Sequence, residues 1–257
     1  MTSDALNWQI EQACFNAWPS PRQVILDGWA LRSSGGPTRR TNSANPLHAG
    51  AQSSERFIDR VEAFYRRQGR RAMFRIPDMA GGIDAALDVR GYATDARTRT
   101  LFGPLDGFAN GPDNLAITPD PGETWLAARD RVSGVDAEAV AAYRAIIGVI
   151  ALPCGFASLS VDGQIASLAF GVLQDDLLVV ESVMTDATMR GRGLARQCLS
   201  GLFGWARGQG ARSAALQVMA DNAPAVALYQ SLGIARDLYG YHYRIAPAAQ
   251  SGCDPSA

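Results

Sequence analysis

The stretch MRGRGLARQ, residues 189–197, places three arginines around two glycines and then becomes apolar. A helix start exposes unpaired backbone N–H groups and the positive end of the helix dipole, so it favours a bound anion. Glycines let a phosphate approach the backbone closely, and guanidinium groups match phosphate oxygens. The stretch therefore predicts a phosphate-binding turn, although so short a stretch alone leaves a flexible charged loop as the alternative. The residues concerned are Arg190, Gly191, Arg192, Gly193 and Arg196.

Two common phosphate motifs are excluded at this turn. A dinucleotide fingerprint requires Gly or Ala at the position of Arg196, and a Walker loop ends in Gly-Lys-Ser/Thr. Neither pattern is present in the stretch.

Periodicity and turn pairs predict the elements around the turn. Asp162-Gly163 and Asp175-Asp176 lie between β-rich runs, which predicts three antiparallel strands before it. Two helices, ETWLAARDRV and DAEAVAAYRAIIG, precede those strands. The elements expected after the turn are a helix over 194–207, the strand SAALQVM, a helix over 222–233 and the strand YGYHYRI.

The first part of the chain predicts a helix over 4–17 and a hairpin. VILDGWALRSS and PTRRTNSANPL are expected as its extended arms, joined by Gly35 and Gly36. A helix from Ser54 to Gly69 and the strand AMFRI follow. The Gly-, Pro- and Asn-rich run over 103–114 has little to bury, so we place a domain boundary there.

An internal repeat supports this boundary. FYRRQGRRAMFRI aligns with WARGQGARSAALQV, which places Gly69 on Gly210. ALDVRGYATDARTR aligns with LYQSLGIARDLYGY at almost the same shift, which places Gly91 on Gly233. Two matches at nearly constant spacing indicate a duplicated unit, with chance similarity of two helix–Gly–strand pieces as the alternative.

Residues 115–246 resemble the GNAT N-acetyltransferase superfamily. Arg190, Gly193 and Ala195 match its signature of Arg or Gln, two residues, Gly, one residue, and Gly or Ala. NAPAVALYQSLGI is similar to a second family block, with Ile234 where Phe is usual. The resemblance implies an α/β (α+β) fold with a mixed, largely antiparallel sheet flanked by helices, duplicated here. The domains are then a degenerate GNAT-like unit over 1–112, a catalytic unit over 113–247 and a flexible tail over 248–257.

The resemblance implies acetyl-coenzyme A as cosubstrate. Backbone N–H groups of Val183 and Thr185 are expected to bind the acetyl carbonyl and the pantetheine arm, and the glycine turn is expected to bind the diphosphate. Asn222 is expected to contact the coenzyme, and it is also an ordinary helix N-cap. The predicted coenzyme-binding residues are Val183, Thr185, Arg190, Gly191, Arg192, Gly193, Leu194, Ala195, Arg196 and Asn222.

Two side chains are candidates for catalysis. Tyr229 matches the family's general acid, and its alternative is a core tyrosine, since Ala225 lies one helical turn before it. Glu181 lies two residues before Val183, so we expect both on one face of their strand. It is a candidate base, directly or through water, with a plain ion pair as the alternative.

The first half lacks this machinery. At the repeat shift the glycine turn is replaced by AGAQSS, and Tyr229 is replaced by Leu87. We expect this half to support or shape the substrate side. Its arginine run YRRQGRR is typical of a solvated helix end more often than of a nucleic-acid contact. Tyr239, Tyr241 and Tyr243 share a strand face that could line an acceptor pocket or belong to the core.

The charge balance and the cysteine and histidine content of the chain argue against several classes of function. Lys plus Arg number 24 against 25 Asp plus Glu, so no overall charge attracts nucleic acid or a membrane surface. Cys14, Cys154, Cys198 and Cys253 show no C-x-x-C spacing, and the chain has only two histidines, so no metal site is predicted. No signal peptide or membrane span is recognisable, so a reducing cytoplasm is expected.

The sequence thus predicts an N-acetyltransferase in which a primary amine of a small molecule or protein attacks acetyl-coenzyme A directly in a ternary complex. A catalytically inactive acyl-coenzyme A binding sensor is the alternative, and a nucleic-acid-associated protein is a third, disfavoured one. The expected partners are the coenzyme and an unidentified amine. The oligomeric state, monomer or homodimer, stays open.

Overall fold

The computed structural model describes residues 3–109 and 111–248, and these form one sheet with helices on both faces. The helices are α1 (Ser3–Ala17), α2 (Glu55–Arg66), α3 (Asp84–Val89), α4 (Gly122–Ser133), α5 (Ala137–Ile147), α6 (Leu194–Gly208) and α7 (Ala223–Ser231). The strands are β1 (Gln23–Leu26), β2 (Trp29–Arg32), β3 (Ala44–Pro46), β4 (Met73–Pro77), β5 (Ala93–Pro104), β6 (Leu115–Thr118), β7 (Cys154–Val161), β8 (Gln164–Gln174), β9 (Leu177–Thr185), β10 (Ser213–Met219) and β11 (Arg236–Ile245).

The sheet has the strand order β1-β2-β3-β4-β11-β5-β10-β9-β8-β7-β6. Pairs β3/β4 and β9/β10 are parallel and the other neighbours are antiparallel, so the predicted mixed, largely antiparallel sheet is confirmed. β5 lies between β10 and β11, while β11 lies between β4 and β5. Each half therefore places one strand inside the sheet of the other.

The centre of the sheet repeats the internal symmetry of the sequence. In the antiparallel pair β5/β11, Arg99 lies opposite Gly240, and the spacing of this pair along the chain equals the repeat shift that relates Gly69 to Gly210. Outward from this pair, β4 beside β11 corresponds to β10 beside β5. This local two-fold arrangement supports the predicted duplication independently of residue identities. The division into 1–112 and 113–247 stays a prediction, and the expected tail lies outside the described residues except for Ala248.

The two faces of the second half carry separate cores. Leu178 and Val180 of β9 pack with α6 and α7, whereas Leu177 and Val179 pack with α1, α4 and α5. Because side chains alternate along a strand, these groups lie on opposite faces of the sheet. A third core joins α2 and α3 to β2, β3 and β4.

Most predicted elements are confirmed, and one turn was wrong. VILDGWALRSS does not form a single extended arm, because Asp27 (φ +48°) and Gly28 (φ +85°) fold it into the hairpin β1/β2. Residues 33–43, with Gly35 and Gly36, form instead the loop between β2 and β3. β5 was not predicted as a strand, because many of its residues are polar. They lie in the centre of the sheet because they pair with β10 and β11, which are distant in the sequence.

Within the described residues, 3–109 and 111–248, no helix combines the length and apolar character needed to cross a bilayer. The same residues bring together no group of three or more His, Cys, Asp or Glu able to hold a metal ion.

Candidate active site

The site begins where β9 and β10 separate. Their parallel ladder closes with Val180 opposite Leu216, although both strands continue beyond it. A cavity of about 660 Å³ lies at this fork and reaches the start of α6. Apart from Glu181 and Arg192, every predicted site residue lines it: Val183, Thr185, Arg190, Gly191, Gly193, Leu194, Ala195, Arg196, Asn222 and Tyr229.

The glycine turn leaves the start of α6 open. Gly191 and Gly193 have φ values of +76° and +74°, a left-handed backbone that glycine adopts without strain. Gly193 is the N-cap of α6 and has no side chain to bond the first helical amides. A Cβ added at either glycine would meet no heavy atom of the described residues within 4 Å. Both the helix amides and the space above them are therefore accessible to an anion.

Cationic groups surround this turn. Arg190 donates from Nε to the Thr185 carbonyl at 3.4 Å, and Arg196 donates to Ser231 on α7. The ion pairs found among the described residues include none of Arg190, Arg192 and Arg196. These exposed guanidinium groups are therefore not neutralised by protein carboxylates.

Tyr229 belongs both to the core and to the cavity wall. Its side chain is buried among α6 and α7 residues, and it lines the cavity from α7. Burial, aided by the charge of Glu181, raises the pKa of Tyr229 to about 12. The phenol keeps its proton at neutral pH, as an ordinary tyrosine does.

Asn222 caps α7. Its side-chain oxygen accepts a hydrogen bond from the Ala225 amide at 3.3 Å, which is the ordinary N-cap role considered above. Because Asn222 also lines the cavity, capping leaves the predicted coenzyme contact as a separate proposal.

A β-bulge shapes β9 at the fork. Ser182 has φ +53°, and the register with β8 slips there, with Phe170 opposite Glu181 but Leu168 opposite Met184. The bulge inserts one extra residue on β9 and so exchanges the faces of the strand beyond it.

The expectation that Glu181 and Val183 share a face is therefore wrong. Val183 packs against the core of α6 and α7, whereas Glu181 lies opposite Phe170, a core residue on the α1 side. The bulge at Ser182 is held by the Tyr143 hydroxyl of α5, which donates to Ser182 Oγ at 3.0 Å. A two-residue spacing predicts one face only in an unbroken strand.

Glu181 pairs with a residue that sequence analysis missed. Arg40, in the loop between β2 and β3, donates to both carboxylate oxygens of Glu181 at 2.7 Å. Arg40 Nη1 also lies 3.4 Å from Gln217 Oε1 on β10. The only sequence signal for Arg40 is the repeat, since Arg40 and Glu181 are separated by the same shift that relates Gly69 to Gly210.

The three tyrosines of β11 lie in the core. The Tyr239 hydroxyl donates to Glu11 at 2.6 Å, and the Tyr241 hydroxyl donates to Gln217 at 3.3 Å. Arg75 pairs with Glu11 in two hydrogen bonds and stacks over the Tyr241 ring, 3.6 Å from its centroid. With Tyr243 also buried, this face favours the core alternative.

Comparison with known proteins gives consistent matches. The model of a family described as "Probable histone acetyltransferase Rv0428c C-terminal" matches residues 5–244. The uncharacterized N-acetyltransferase YobR of Bacillus subtilis (strain 168) is 27% identical over 245 residues, covering 92% of this chain and 97% of the relative. The probable histone acetyltransferase Rv0428c of Mycobacterium tuberculosis is 28% identical over 263 residues, covering 95% and 75%. A solved GCN5-related N-acetyltransferase from Kribbella flavida has a TM-score of 0.68 at 16% identity and covers 96% of each chain, which confirms the predicted fold.

Proposed function

Since the chain belongs to the family described as Probable histone acetyltransferase Rv0428c C-terminal, within the GNAT superfamily, we propose that it transfers the acetyl group of acetyl-coenzyme A to a primary amine. One observation carries the proposal: a single cavity joins an uncapped helix start, a bulged strand end and a protonated tyrosine. Phosphate, amide and thioester groups of the coenzyme would each have a matching partner along it.

The residues of the turn fit the diphosphate. The amides at the start of α6 offer hydrogen bonds, and Arg190 and Arg196 on the cavity wall offer charge. Val183 and Thr185, beyond the end of the β9/β10 ladder, would hold the acetyl end through backbone N–H groups.

Acetyl-coenzyme A supplies an activated acyl carbon and a thiolate leaving group. The chain positions an amine against that carbon, so that the new C–N bond forms as the C–S bond breaks. The amine must lose a proton, for which Glu181 is the proposed acceptor, directly or through water. Tyr229 would donate a proton to the departing sulfur. Coenzyme A and an acetamide result.

A coenzyme-binding sensor without catalysis is the second candidate. The position of the Tyr229 side chain on the cavity wall favours the enzyme, because ligand binding alone does not need a proton donor there.

Acetyl transfer measured across panels of amines and peptides tests the proposal. Free thiol, detected with a chromogenic disulfide, and the mass increase of one acetyl group on the product should appear together and depend on the amine. Saturable coenzyme binding with no turnover on any panel member would support the sensor instead. The Tyr229→Phe variant is the matched control for adventitious thioester hydrolysis.

A further inference from the structure

We propose that the N-terminal half takes part in the reaction through Arg40, a positioning residue that holds and orients the Glu181 carboxylate at the fork between β9 and β10. This inference rests on the proposed function. It gives the degenerate half a direct part in the chemistry, beyond support of the fold.

The geometry of the pair fixes Glu181 rather than merely neutralising it. Arg40 uses two nitrogens on two oxygens, each at 2.7 Å, which sets both the distance and the plane of the carboxylate. The side chains are 20% and 8% exposed, so water screens the pair little. Arg40 is itself held: its Cζ lies 5.1 Å from the centroid of the Trp18 ring, and its Nη1 lies 3.4 Å from Gln217 Oε1.

The pair lies where β9 and β10 separate, with Glu181 two residues before Val183 of the cavity wall. Glu181 is the first residue of β9 after the parallel ladder closes at Val180. Its charge contributes to the raised pKa of Tyr229 on α7, so the two candidate catalytic groups interact electrostatically. A carboxylate on the α1 face and a phenol on the α7 side thus flank the same fork.

Arg40 supplies the positive charge beside Glu181. Although burial acts to lower it, the charge and hydrogen bonds of Glu181 raise the pKa of Arg40 above its ordinary value. The other groups that Glu181 influences are Cys14 on α1, Tyr143 on α5 and Tyr229 on α7, and burial first raises the pKa of each. All three stay neutral near neutral pH, which leaves Arg40 as the cation in direct contact with the carboxylate.

A second buried pair lies close by and does not replace this one. Glu11 of α1 is bonded by Arg75 and by the hydroxyl of Tyr239. Its charge is therefore already balanced, and Arg75 is engaged away from Glu181. Removing Arg40 would leave Glu181 without a charged hydrogen-bond donor among the described residues.

The test compares Arg40→Met with Arg39→Met in pH profiles of kcat/KM on one amine, so that the titration of the amine cancels. Without the guanidinium, the buried carboxylate is ionised less readily, and the acid limb should move to higher pH by about one unit or more. Arg40→Lys should move it less. Arg39 forms a half-exposed pair with Asp95, so Arg39→Met should leave the profile unchanged.

Stability is controlled by the double variant Arg40→Met/Glu181→Gln. It leaves no unpaired buried charge, so its Tm should exceed that of Arg40→Met while its kcat stays low. An Arg40→Met enzyme with lowered Tm but an unshifted pH profile would overturn the proposal, because Arg40 would then be structural only.

Failure of the proposed function gives a different result. A wild-type chain that acetylates no amine refutes that function. The Arg40 inference is then tested by following the ¹³C signal of the Glu181 carboxyl group, which is assigned with the Glu181→Gln variant. Titration at higher pH in Arg40→Met supports the charge-holding role of Arg40, and an unchanged titration refutes it.

Discussion

The helices α2 and α6 occupy matching places in the two halves, and their first turns are capped differently. Their first residues, Glu55 and Leu194, are separated along the chain by close to the repeat shift. Ser54 caps α2 with its own hydroxyl, which accepts from the Phe57 amide at 3.3 Å, whereas Gly193 provides no side-chain cap for α6. One helix start is capped by a side chain of the protein, and the other has no side-chain cap.

The same difference recurs one element further on. Tyr229 on α7 lines the cavity, while Leu87, its counterpart on α3, is fully buried in an apolar core. In the first half, groups that could serve a ligand have been replaced by groups that satisfy the protein itself. The resemblance to the GNAT superfamily is confirmed for the chain, and the open turn that we propose as the diphosphate site lies in its second half.

The largest expected effect is on turnover. Tyr229→Phe removes one hydroxyl but keeps the ring, so kcat should fall by about 10²–10⁴-fold with little change in coenzyme affinity. Steady-state kinetics and calorimetry measure the two quantities.

The matched control for this hydroxyl is Tyr65→Phe in the first half. The Tyr65 hydroxyl donates to the Arg32 carbonyl at 3.0 Å, so its loss should cost about 1 kcal/mol of stability and leave kcat unchanged. A kcat of Tyr229→Phe within about threefold of wild type would assign Tyr229 to the core alone.

A smaller effect is expected on binding. Gly193→Val should weaken coenzyme binding by about 1–3 kcal/mol, because the side chain blocks access to the α6 amides. Calorimetry should then show a coenzyme Kd increased by about 5- to 150-fold over that of the wild-type chain. The wild-type chain should bind one coenzyme.

Gly163→Val separates this effect from backbone strain. Gly163, in the β7/β8 turn, has φ +77° and similarly open surroundings, so its substitution imposes comparable strain far from the cavity. Equal Kd values for both variants would mean that the glycine turn does not hold the coenzyme.

The smallest expected effect is on stability, and it tests the cap of α2. Ser54→Ala removes the α2 cap and should destabilise the protein by about 1 kcal/mol, without changing kcat or the coenzyme Kd. Thermal unfolding should report a Tm lower by a few degrees. Impaired coenzyme binding in this variant would indicate that the first half contributes to the coenzyme site.

Local features of the site were predictable from sequence, and long-range ones were not. The turn around Gly193 and the cap at Asn222 depend on a few adjacent residues. The bulge at Ser182 depends on pairing with β8, and the contact of Arg40 with Glu181 joins two residues from opposite halves of the chain. Spacing along one strand therefore placed Glu181 on the wrong face.

The position of β11 also determines when the sheet can be completed during synthesis. Arg236–Ile245 fills the gap between β4 and β5, so both of those strands keep an unpaired edge until β11 has been synthesised and has left the ribosome. Pairings this distant in sequence form slowly, and exposed edges invite association between chains. Nascent chains interrupted before β11 would accordingly depend on chaperones, however stable the finished sheet is.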